Sequence, residues 1–350
     1  MEIGYPIIPT PSTRKGRTMK FNFRSRVAAL AVTAIASTGL VACADNSKEE
    51  SPDGRTAVNM VMEWPVADAF WTPFLVAQAK GYYSDAGIDL TITPPPTVSD
   101  TMKFLGTGQA DIAFTTTLDV VFARDQDAPV IATGAYGDTN NWGLIARDPF
   151  DLSDIKGKTV GIYNDAWSRA QLTIMLNSVG LDISDVQLVT ATDNTVPLLL
   201  ENRVDIITGV TNAESPDVRI NGGFEPFFMP ASDHGAPDAP IFVVAGNTEW
   251  LDQNPDTATE FMKSTLRGLN DALADRDSAM KIFSDAYPGS DMAFIVDSWN
   301  ATADILQTQN PPLTQSDGTW SALLDAAVEQ GLVNSVGEPS TYWTDSYMPR

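Results

Sequence analysis

The chain has 350 residues, of which 22 are basic and 45 acidic, so its formal net charge is −23. This excess of negative charge opposes binding to nucleic acid and to anionic lipid headgroups. A hydrophobic content of 43 %, with 8 Trp and 15 Phe, indicates well-filled cores rather than disorder, and a single Cys excludes internal disulfides.

The N-terminal segment has the order of a secretory signal. Basic residues such as Arg24 and Arg26 precede an apolar run at 27–40, which small residues and Cys43 follow. The run is about 14 residues long, below the roughly 20 that span a bilayer. We predict a signal peptide over 1–42, with Met19 as the true start.

The segment at 43–55 is polar, contains Pro52 and Gly54, and lacks an apolar period, which is typical of a flexible linker. Two interpretations of Cys43 compete: a buried thiol in a core, or the lipidated first residue of a bacterial lipoprotein. The linker composition favours the lipoprotein. We therefore expect a lipid anchor on Cys43 that holds the mature chain at the outer face of the bacterial cytoplasmic membrane.

From residue 56 on, strand-like and helix-like segments alternate, which is typical of α/β architecture. In the first series we predict strands at 57–62, 88–92, 111–115 and 130–133, and helices at 71–83, 97–105 and 118–123. In the second series we predict strands at 158–163, 186–189, 205–209 and 240–245, and helices at 166–179 and 196–201. Nearly everything after Thr248 has a helical pattern.

Two similar α/β halves joined by extended crossings near 140–147 and 240–247 predict two lobes with a cleft between them. We expect one lobe from 56–142 plus 246–350 and the other from 143–245. The C-terminal helices should pack on the first lobe. Ligands of such sheets bind at the carboxyl ends of the strands, which directs attention to the residues that follow each strand.

The first strand is followed by Glu63, Trp64 and Trp71, which should lie at the mouth of the cleft. A Trp there can stack on a flat heteroaromatic ring, an interaction worth about 1 kcal/mol beyond burial. The alternative for either Trp is packing between core helices.

The third strand delivers Thr115, Thr116 and Thr117 to its carboxyl end. Their hydroxyls could donate to a ligand, or they could only cap the helix that follows.

In the second lobe, Tyr163, Asn164 and Trp167 join a strand to a helix N-terminus, where free N–H groups are presented to ligands. Arg169 could face an anionic ligand or remain solvated. Further along, Asn212 and Glu214 follow the strand at 205–209 and should face the same cleft. The alternative for Glu214 is an exposed acid that is favourable beside a helix N-terminus.

The sequence contains few catalytic or metal-binding patterns. Its many acids leave a carboxylate-only metal site open as an alternative, but they do not have the spacing of a calcium loop. His234 is the only histidine, and with a single Cys it leaves no zinc site or Cys–His pair. The segment Gly157-Lys158-Thr159 lacks the earlier glycine of a phosphate loop, and no nucleophile-elbow motif surrounds a serine. We predict no enzyme activity, no metal and no cofactor.

Three segments carry a resemblance to a known family. They are Glu63-Trp64-Pro65 with the run 74–90 (which contains KGYYSDAGIDL), the run 104–113 (FLGTGQADIA), and the run 152–161 (LSDIKGKTVG). Together they resemble the solute-binding proteins of ABC importers in the NMT1/THI5-like group. That group includes binders of thiamine-precursor pyrimidines, riboflavin, alkylsulfonates, taurine and nitrate.

The resemblance implies a two-lobed periplasmic-binding-protein (type II) fold and a monomer that hands a small solute to an ABC permease. In pyrimidine-binding members an acidic residue at the position of Glu214 accepts hydrogen bonds from an aminopyrimidine. The aromatic residues usual around that position are Thr211 and Ala213 here. The pyrimidine synthases that resemble the family use a sacrificial histidine, whereas His234 lies outside the matching segments.

The leading hypothesis is an extracytoplasmic substrate-binding lipoprotein of an ABC importer. Its solute would be small, flat and polar, with a thiamine-precursor pyrimidine favoured. One alternative is a binder of alkylsulfonate, taurine, nitrate or riboflavin; anions would require a cationic cleft, and Arg169 is the obvious cation. Alternatives of other classes are a pyrimidine-synthase-like enzyme and a surface lipoprotein with a structural or adhesive role.

Overall fold

The computed structural model describes residues 54–191 and 194–349. The predicted signal peptide and Cys43 lie outside the described residues. Within them, no helix combines the length and the apolar character needed to cross a membrane.

The strands of the described residues, in chain order, are β1 (Thr56–Val61), β2 (Ile88–Thr93), β3 (Ile112–Thr116), β4 (Val130–Ala135), β5 (Trp142–Ala146), β6 (Thr159–Tyr163), β7 (Gln187–Ala191), β8 (Ile206–Val210), β9 (Phe227–Pro230) and β10 (Phe242–Asn247). The α-helices are α1 (Thr72–Ala79), α2 (Tyr82–Asp85), α3 (Val98–Gly106), α4 (Thr117–Asp125), α5 (Ala166–Ser178), α6 (Val196–Leu200), α7 (Glu214–Asp217), α8 (Thr248–Gln253), α9 (Pro255–Ala274), α10 (Arg276–Ala286), α11 (Met292–Leu306) and α12 (Asp317–Glu329).

These strands form two five-stranded sheets with the orders β2-β1-β3-β10-β4 and β7-β6-β8-β5-β9. In the first sheet β1 is parallel to β2 and β3, and in the second β6 is parallel to β7 and β8. Strands β10 and β5 are antiparallel to their neighbours. The two sheets therefore share one plan, and the alternation predicted from the sequence is confirmed.

The chain crosses twice between the two sheets, so each sheet contains one strand whose preceding strand belongs to the other sheet. Strand β5 follows β4 but pairs in the second sheet, and β10 follows β9 but pairs in the first. The chain passes between the sheets at 136–141 and 231–241. Strands β5 and β10 each have a partner strand on both sides, and all of their residues are buried. These crossings therefore end inside a sheet rather than at its edge.

Three details of the predicted elements were wrong. The predicted helix at 71–83 is two helices, because Gly81 adopts a left-handed conformation (φ 77°) that ends α1 before α2 begins. Strand β9 was not predicted. The chain after Thr248 is not continuously helical: turns and extended segments separate α11 from α12 and follow α12.

The C-terminal helices complete the packing around the first sheet. Helix α9 lies against α1, and Trp320 and Leu324 of α12 belong to the same buried cluster as Val121 of α4. Helix α11 contacts both the helical turn Ala69–Trp71 and α7. It therefore joins the chain beside the first sheet to the chain beside the second.

Candidate functional site

Two acidic side chains meet at the carboxyl ends of β1 and β3. Glu63 follows β1 and is only 2 % exposed. The Thr101 hydroxyl fixes the backbone before it by donating to the Met62 carbonyl (2.9 Å). The Glu63 carboxyl interacts with the carboxyl of Asp119, which lies in the first turn of α4. The Oε2 atom of Glu63 is nevertheless buried without a hydrogen-bond partner.

Asp119 is held in place by Thr116, the residue that caps α4. The Thr116 Oγ1 accepts from the Asp119 amide (3.0 Å) and donates to Asp119 Oδ2 (2.6 Å). Thr116 therefore performs the capping role weighed from the sequence. Its hydroxyl also orients the carboxyl that faces Glu63.

Burial sets the electrostatics of this pair. Burial raises the pKa of Glu63 well above its usual value, the Asp119 charge raises it further, and the Thr115 hydroxyl opposes the rise. Burial likewise raises the pKa of Asp119, while its hydrogen bond with Thr116 acts against the rise. Two interacting carboxyl groups, one buried (Glu63) and one half-buried (Asp119), hold a proton to higher pH than isolated acids do.

A third acidic residue, Asp165, lies near this pair and belongs to the chain of the second sheet. Asp165 caps α5, where its Oδ1 accepts from the Ser168 amide (2.7 Å). Its charge also raises the pKa of Asp119. The start of α4, beside the first sheet, and the start of α5, beside the second, therefore lie close together.

Trp64 is a half-buried member of an aromatic cluster beside this point. Its ring stacks on Phe70 (centroids 5.6 Å apart, planes 22° apart) and meets Phe242 edge-on (5.3 Å, 73°). Phe70 and Phe242 are buried, so their contacts hold the Trp64 ring in one orientation.

Trp71 lies in the core. It is 1 % exposed and its ring meets Tyr287 edge-on at 5.6 Å. Its indole Nε1 is buried without a partner. This placement corresponds to the packing alternative for Trp71.

The other two predicted threonines are also buried. The Thr115 hydroxyl points to the Met102 sulfur (3.4 Å) and acts on the Glu63 pKa. The Thr117 hydroxyl donates to the Pro240 carbonyl (3.0 Å), so it ties the start of α4 to the chain entering β10.

Tyr163 and Glu214 are brought together at the carboxyl ends of β6 and β8. The Tyr163 hydroxyl donates to Glu214 Oε1 (2.6 Å), and the Val210 amide donates to Oε2 (2.7 Å). Burial raises the pKa of Glu214, and these hydrogen bonds oppose the rise. A Cβ on Gly209 would stand 2.6 Å from the Glu214 Cγ, so the absent side chain at 209 leaves the space that the Glu214 side chain occupies.

The remaining predicted contacts of the second lobe differ in exposure. Asn164 and Arg169 are exposed. Trp167, in the first turn of α5, is half-buried and packs against the cluster that contains Val121 and Trp320.

Asn212 is buried, and both polar atoms of its side chain are hydrogen-bonded. Its Nδ2 donates to Thr302 Oγ1 (2.9 Å), and its Oδ1 accepts from Asn141 Nδ2 (2.6 Å). Its carbonyl accepts from the Ser298 hydroxyl. Asn212 thus links α11 to the first crossing, a role that the sequence did not suggest.

Two cavities lie near the crossings. One of about 460 Å³ is lined by Asp138, Thr139, Thr211, Ala301, Asp304, Ile305 and Thr308. The other, of about 160 Å³, includes Gly137, Gln309 and Trp320 in its lining. Neither lining includes Glu63, Trp64 or Tyr163. Glu63 is buried in the conformation described, whereas Trp64 and Tyr163 are half-buried.

Among the described residues, no group of three or more His, Cys, Asp or Glu side chains is placed to hold a metal ion. The Glu63, Asp119 and Asp165 side chains therefore lack the geometry of a metal site. Sequence reasoning missed Asp119 and Asp165. The signal for both was capping: a Thr three residues before Asp119, and an Asp directly before the apolar face of α5.

The comparisons with known proteins agree with this architecture. The family model described as NMT1/THI5 like matches residues 69–279. A "formylaminopyrimidine-binding protein" of Halalkalibacterium halodurans is 24 % identical over 247 residues, 69 % of this chain and 74 % of that protein. A "4-amino-5-hydroxymethyl-2-methylpyrimidine phosphate synthase" (THI11) of Saccharomyces cerevisiae is 22 % identical over 246 residues, 66 % of this chain and 71 % of that protein.

Among solved structures, the periplasmic aliphatic sulphonate-binding protein SsuA of Escherichia coli superposes with a TM-score of 0.64 at 13 % identity. The match covers 82 % of this chain and 92 % of SsuA. At this identity the likeness shows the fold alone. The expected two-lobed periplasmic-binding-protein fold is thereby confirmed.

Proposed function

The chain belongs to the NMT1/THI5-like family, and we propose that it is the extracytoplasmic substrate-binding lipoprotein of an ABC importer. The observation that carries this proposal is the meeting of the two sheets' helix starts. Trp167 of α5 packs against the buried cluster that contains Val121 of α4, and the charge of Asp165 acts on Asp119. Periplasmic-binding proteins hold their solutes between two such lobes, and the relatives include a protein named for binding a pyrimidine.

The solute would enter by a hinge motion. Glu63 is enclosed in the conformation described, so a ligand reaches it only when the lobes separate about the crossings at 136–141 and 231–241. Since β5 pairs wholly in the second sheet and β10 wholly in the first, we place the lobe boundaries within these crossings. The sequence-predicted boundaries, after residues 142 and 245, lie a few residues further along.

The solute we propose is a thiamine-precursor aminopyrimidine. Trp64 offers a ring that its aromatic neighbours hold in one orientation, and a flat heteroaromatic ligand can stack on it. The acidic side chains near it accept hydrogen bonds from amino groups, and they repel sulfonates and nitrate. Tyr163, Asn164, Trp167 and Glu214 remain proposed contacts of the second lobe.

Further parts of the proposal rest on the sequence. The lipid anchor on Cys43 and the position outside the cytoplasmic membrane follow from the segment order at 20–43. The monomeric state, the permease partner and a transfer without catalysis follow from the family resemblance.

A second candidate function is pyrimidine synthesis, because several relatives are named as synthases. The residue that bears on it is His234, which lies in a helical turn after β9. A synthase would form a pyrimidine product when supplied with its precursors, whereas a binding protein returns its ligand unchanged.

Calorimetric titration of the purified protein tests the proposal. The ligands are 4-amino-5-hydroxymethyl-2-methylpyrimidine, riboflavin, taurine and nitrate. We expect binding of the pyrimidine with a Kd of about 1 μM or tighter, and its recovery unaltered by mass spectrometry. Binding of taurine or nitrate alone would contradict the pyrimidine assignment but would still support a solute-binding protein. Chemical turnover would support the synthase.

A further inference from the structure

The contact between Glu63 and Asp119 defines a more specific ligand property, on the premise of the proposed binding function. We propose that these two carboxyl groups form a subsite for a positively charged nitrogen of the solute. We also infer that this pair, rather than Glu214, selects the charge of the solute.

The Glu63 side chain is the first reason. It is 98 % buried, since its exposed fraction is 2 %, and its Oε2 has no hydrogen-bond partner. Leaving a buried acceptor unpaired costs about 1–3 kcal/mol. A protein that evolved only to be stable would fill this position with an apolar side chain, whereas a ligand donor would satisfy the oxygen.

The second reason is the sign of the surrounding charges. The charges that act on the pair are acidic: Asp119 acts on Glu63, and Asp165 acts on Asp119 from across the two lobes. Among the ion pairs of the described residues, none includes Glu63 or Asp119. A cation supplied by the solute would neutralise this group when the lobes close, and an anion would be repelled by it.

The third reason is that Glu214 is already satisfied. Tyr163 and Val210 donate to its two oxygens at 2.6 and 2.7 Å. A ligand donor at Glu214 would add to a carboxylate that is already paired. At Glu63 it would satisfy Oε2, the one carboxyl oxygen of this residue that has no partner among the described residues.

The cation that we propose is an organic ammonium group and not a metal ion. The described residues contain no group of three or more acidic, His or Cys side chains arranged to hold a metal ion. The residue next to Glu63 in sequence is Trp64, an aromatic side chain suited to a flat ring. An ammonium group carried by a heteroaromatic ring fits both features.

A matched pair of ligands tests the inference. 4-Amino-5-aminomethyl-2-methylpyrimidine carries an ammonium group where 4-amino-5-hydroxymethyl-2-methylpyrimidine carries a neutral hydroxyl on the same ring. We expect the purified protein to bind the ammonium compound at least about tenfold more tightly in calorimetry, the size of one charge-assisted hydrogen bond. Glu63→Gln and Asp119→Asn should each abolish this preference.

Two exposed acids provide matched controls, since each variant changes the charge by the same amount elsewhere. Glu249→Gln on α8 and Asp325→Asn on α12 should retain the preference. Circular dichroism melting identifies any variant that fails to fold. If a variant does not fold, calorimetry of the wild-type protein provides the test. The heats of ligand binding in phosphate and in Tris buffer are compared, because their difference reports protons released on binding. We expect proton release with the ammonium compound and none with the hydroxymethyl compound.

The outcomes separate the two claims. Equal affinity of the wild-type protein for both pyrimidines, or an undiminished preference in folded Glu63→Gln and Asp119→Asn, would overturn the subsite and leave pyrimidine binding intact. Binding of neither pyrimidine would overturn the pyrimidine proposal together with the subsite. A preference lost only in the two subsite variants supports the inference.

Discussion

The Tyr163 hydroxyl donates a 2.6 Å hydrogen bond to Oε1 of Glu214, although 51 positions separate the two residues. This bond joins the ends of β6 and β8 and occupies the acid that the family resemblance singled out for the ligand. The contribution of this hydrogen bond to the free energy of unfolding can be measured with variants of the two residues.

A double-mutant cycle measures the Tyr163–Glu214 bond. Tyr163→Phe removes the donor and leaves a buried carboxylate oxygen with one partner fewer, so we expect a loss of about 1–3 kcal/mol in the free energy of unfolding. Glu214→Gln should cost a similar amount, and the double variant less than the sum of the two. Urea unfolding followed by circular dichroism provides the values. Additive losses would show that the bond contributes nothing.

Gly209 should be intolerant of a side chain. A Cβ there would lie 2.6 Å from the Glu214 Cγ and 2.7 Å from Oε2. Gly209→Ala must displace the Glu214 side chain, and we expect a loss of about 1–3 kcal/mol in urea unfolding. Gly289→Ala is the control, because a Cβ at 289 meets nothing within 4 Å. Equal stability of the two variants would contradict the close packing of Glu214 over Gly209.

The link between Asn212 and α11 should depend on the Thr302 hydroxyl. Thr302→Val removes the acceptor of the Asn212 amide and leaves a buried N–H unpaired, which should cost about 1–3 kcal/mol. Thr259→Val is matched, since both hydroxyls also donate to the carbonyl four residues earlier, but Thr259 is half-buried and its hydrogen bond is exposed. Chemical denaturation of both variants checks the difference. If Thr259→Val lowered the free energy of unfolding as much as Thr302→Val, the loss would come from placing Val in a helix and not from the Asn212 hydrogen bond.

The ligand-free protein should become less stable as the pH rises from about 4 to 7. Burial raises the pKa of Asp68 from its ordinary value of 3.8 to about 7. The folded state therefore holds a proton that the unfolded state has lost, and the stability it contributes disappears as the pH rises through this window. The pKa values of Glu63 and Asp119 are raised in the same direction.

Asp68→Asn tests this dependence, because an amide oxygen can still accept from the Phe70 amide (2.9 Å in the native protein). We expect the variant to be more stable than the native protein at pH 8 by about 1 kcal/mol, and to show a flatter profile of urea midpoints between pH 4 and 8. Asp325→Asn should leave the profile unchanged. An unaltered slope in Asp68→Asn would show that Asp68 titrates normally.

Cys43→Ser tests the lipid anchor. In a bacterial host we expect the native chain to partition into the detergent phase after Triton X-114 extraction, because we propose a lipid on its Cys43 thiol. The Ser variant should move to the aqueous phase or remain unprocessed. Equal partition of the two chains would remove the lipoprotein proposal without affecting the binding site.

The sequence predicted most of the fold because the interior strands are short apolar runs that alternate with amphipathic helices. Strand β9 escaped because its run Phe227-Phe228-Met229 is too short to carry a period and ends at Pro230. The helix break at Gly81 was hidden because an isolated glycine does not reveal the sign of its φ angle.

The site was predicted less completely, for a physical reason. Glu63 and Trp64 follow the first strand, and the rule that ligands lie at strand ends is sufficient to single them out as candidates. Asp119 and Asp165 come together only through the packing of two sheets, which no local pattern encodes. The partners of Asn212 on α11 are long-range for the same reason.

A crystal structure of the purified protein with 4-amino-5-aminomethyl-2-methylpyrimidine would show whether the two carboxyl groups bind the ligand's ammonium group. We expect the ring to stack on Trp64 between the two lobes, with its ammonium nitrogen within about 3 Å of Glu63 or Asp119 oxygens. A ring bound elsewhere, for example in the cavity beside Asp138 and Asp304, or oriented with its ammonium group away from both carboxyl groups, would contradict this expectation.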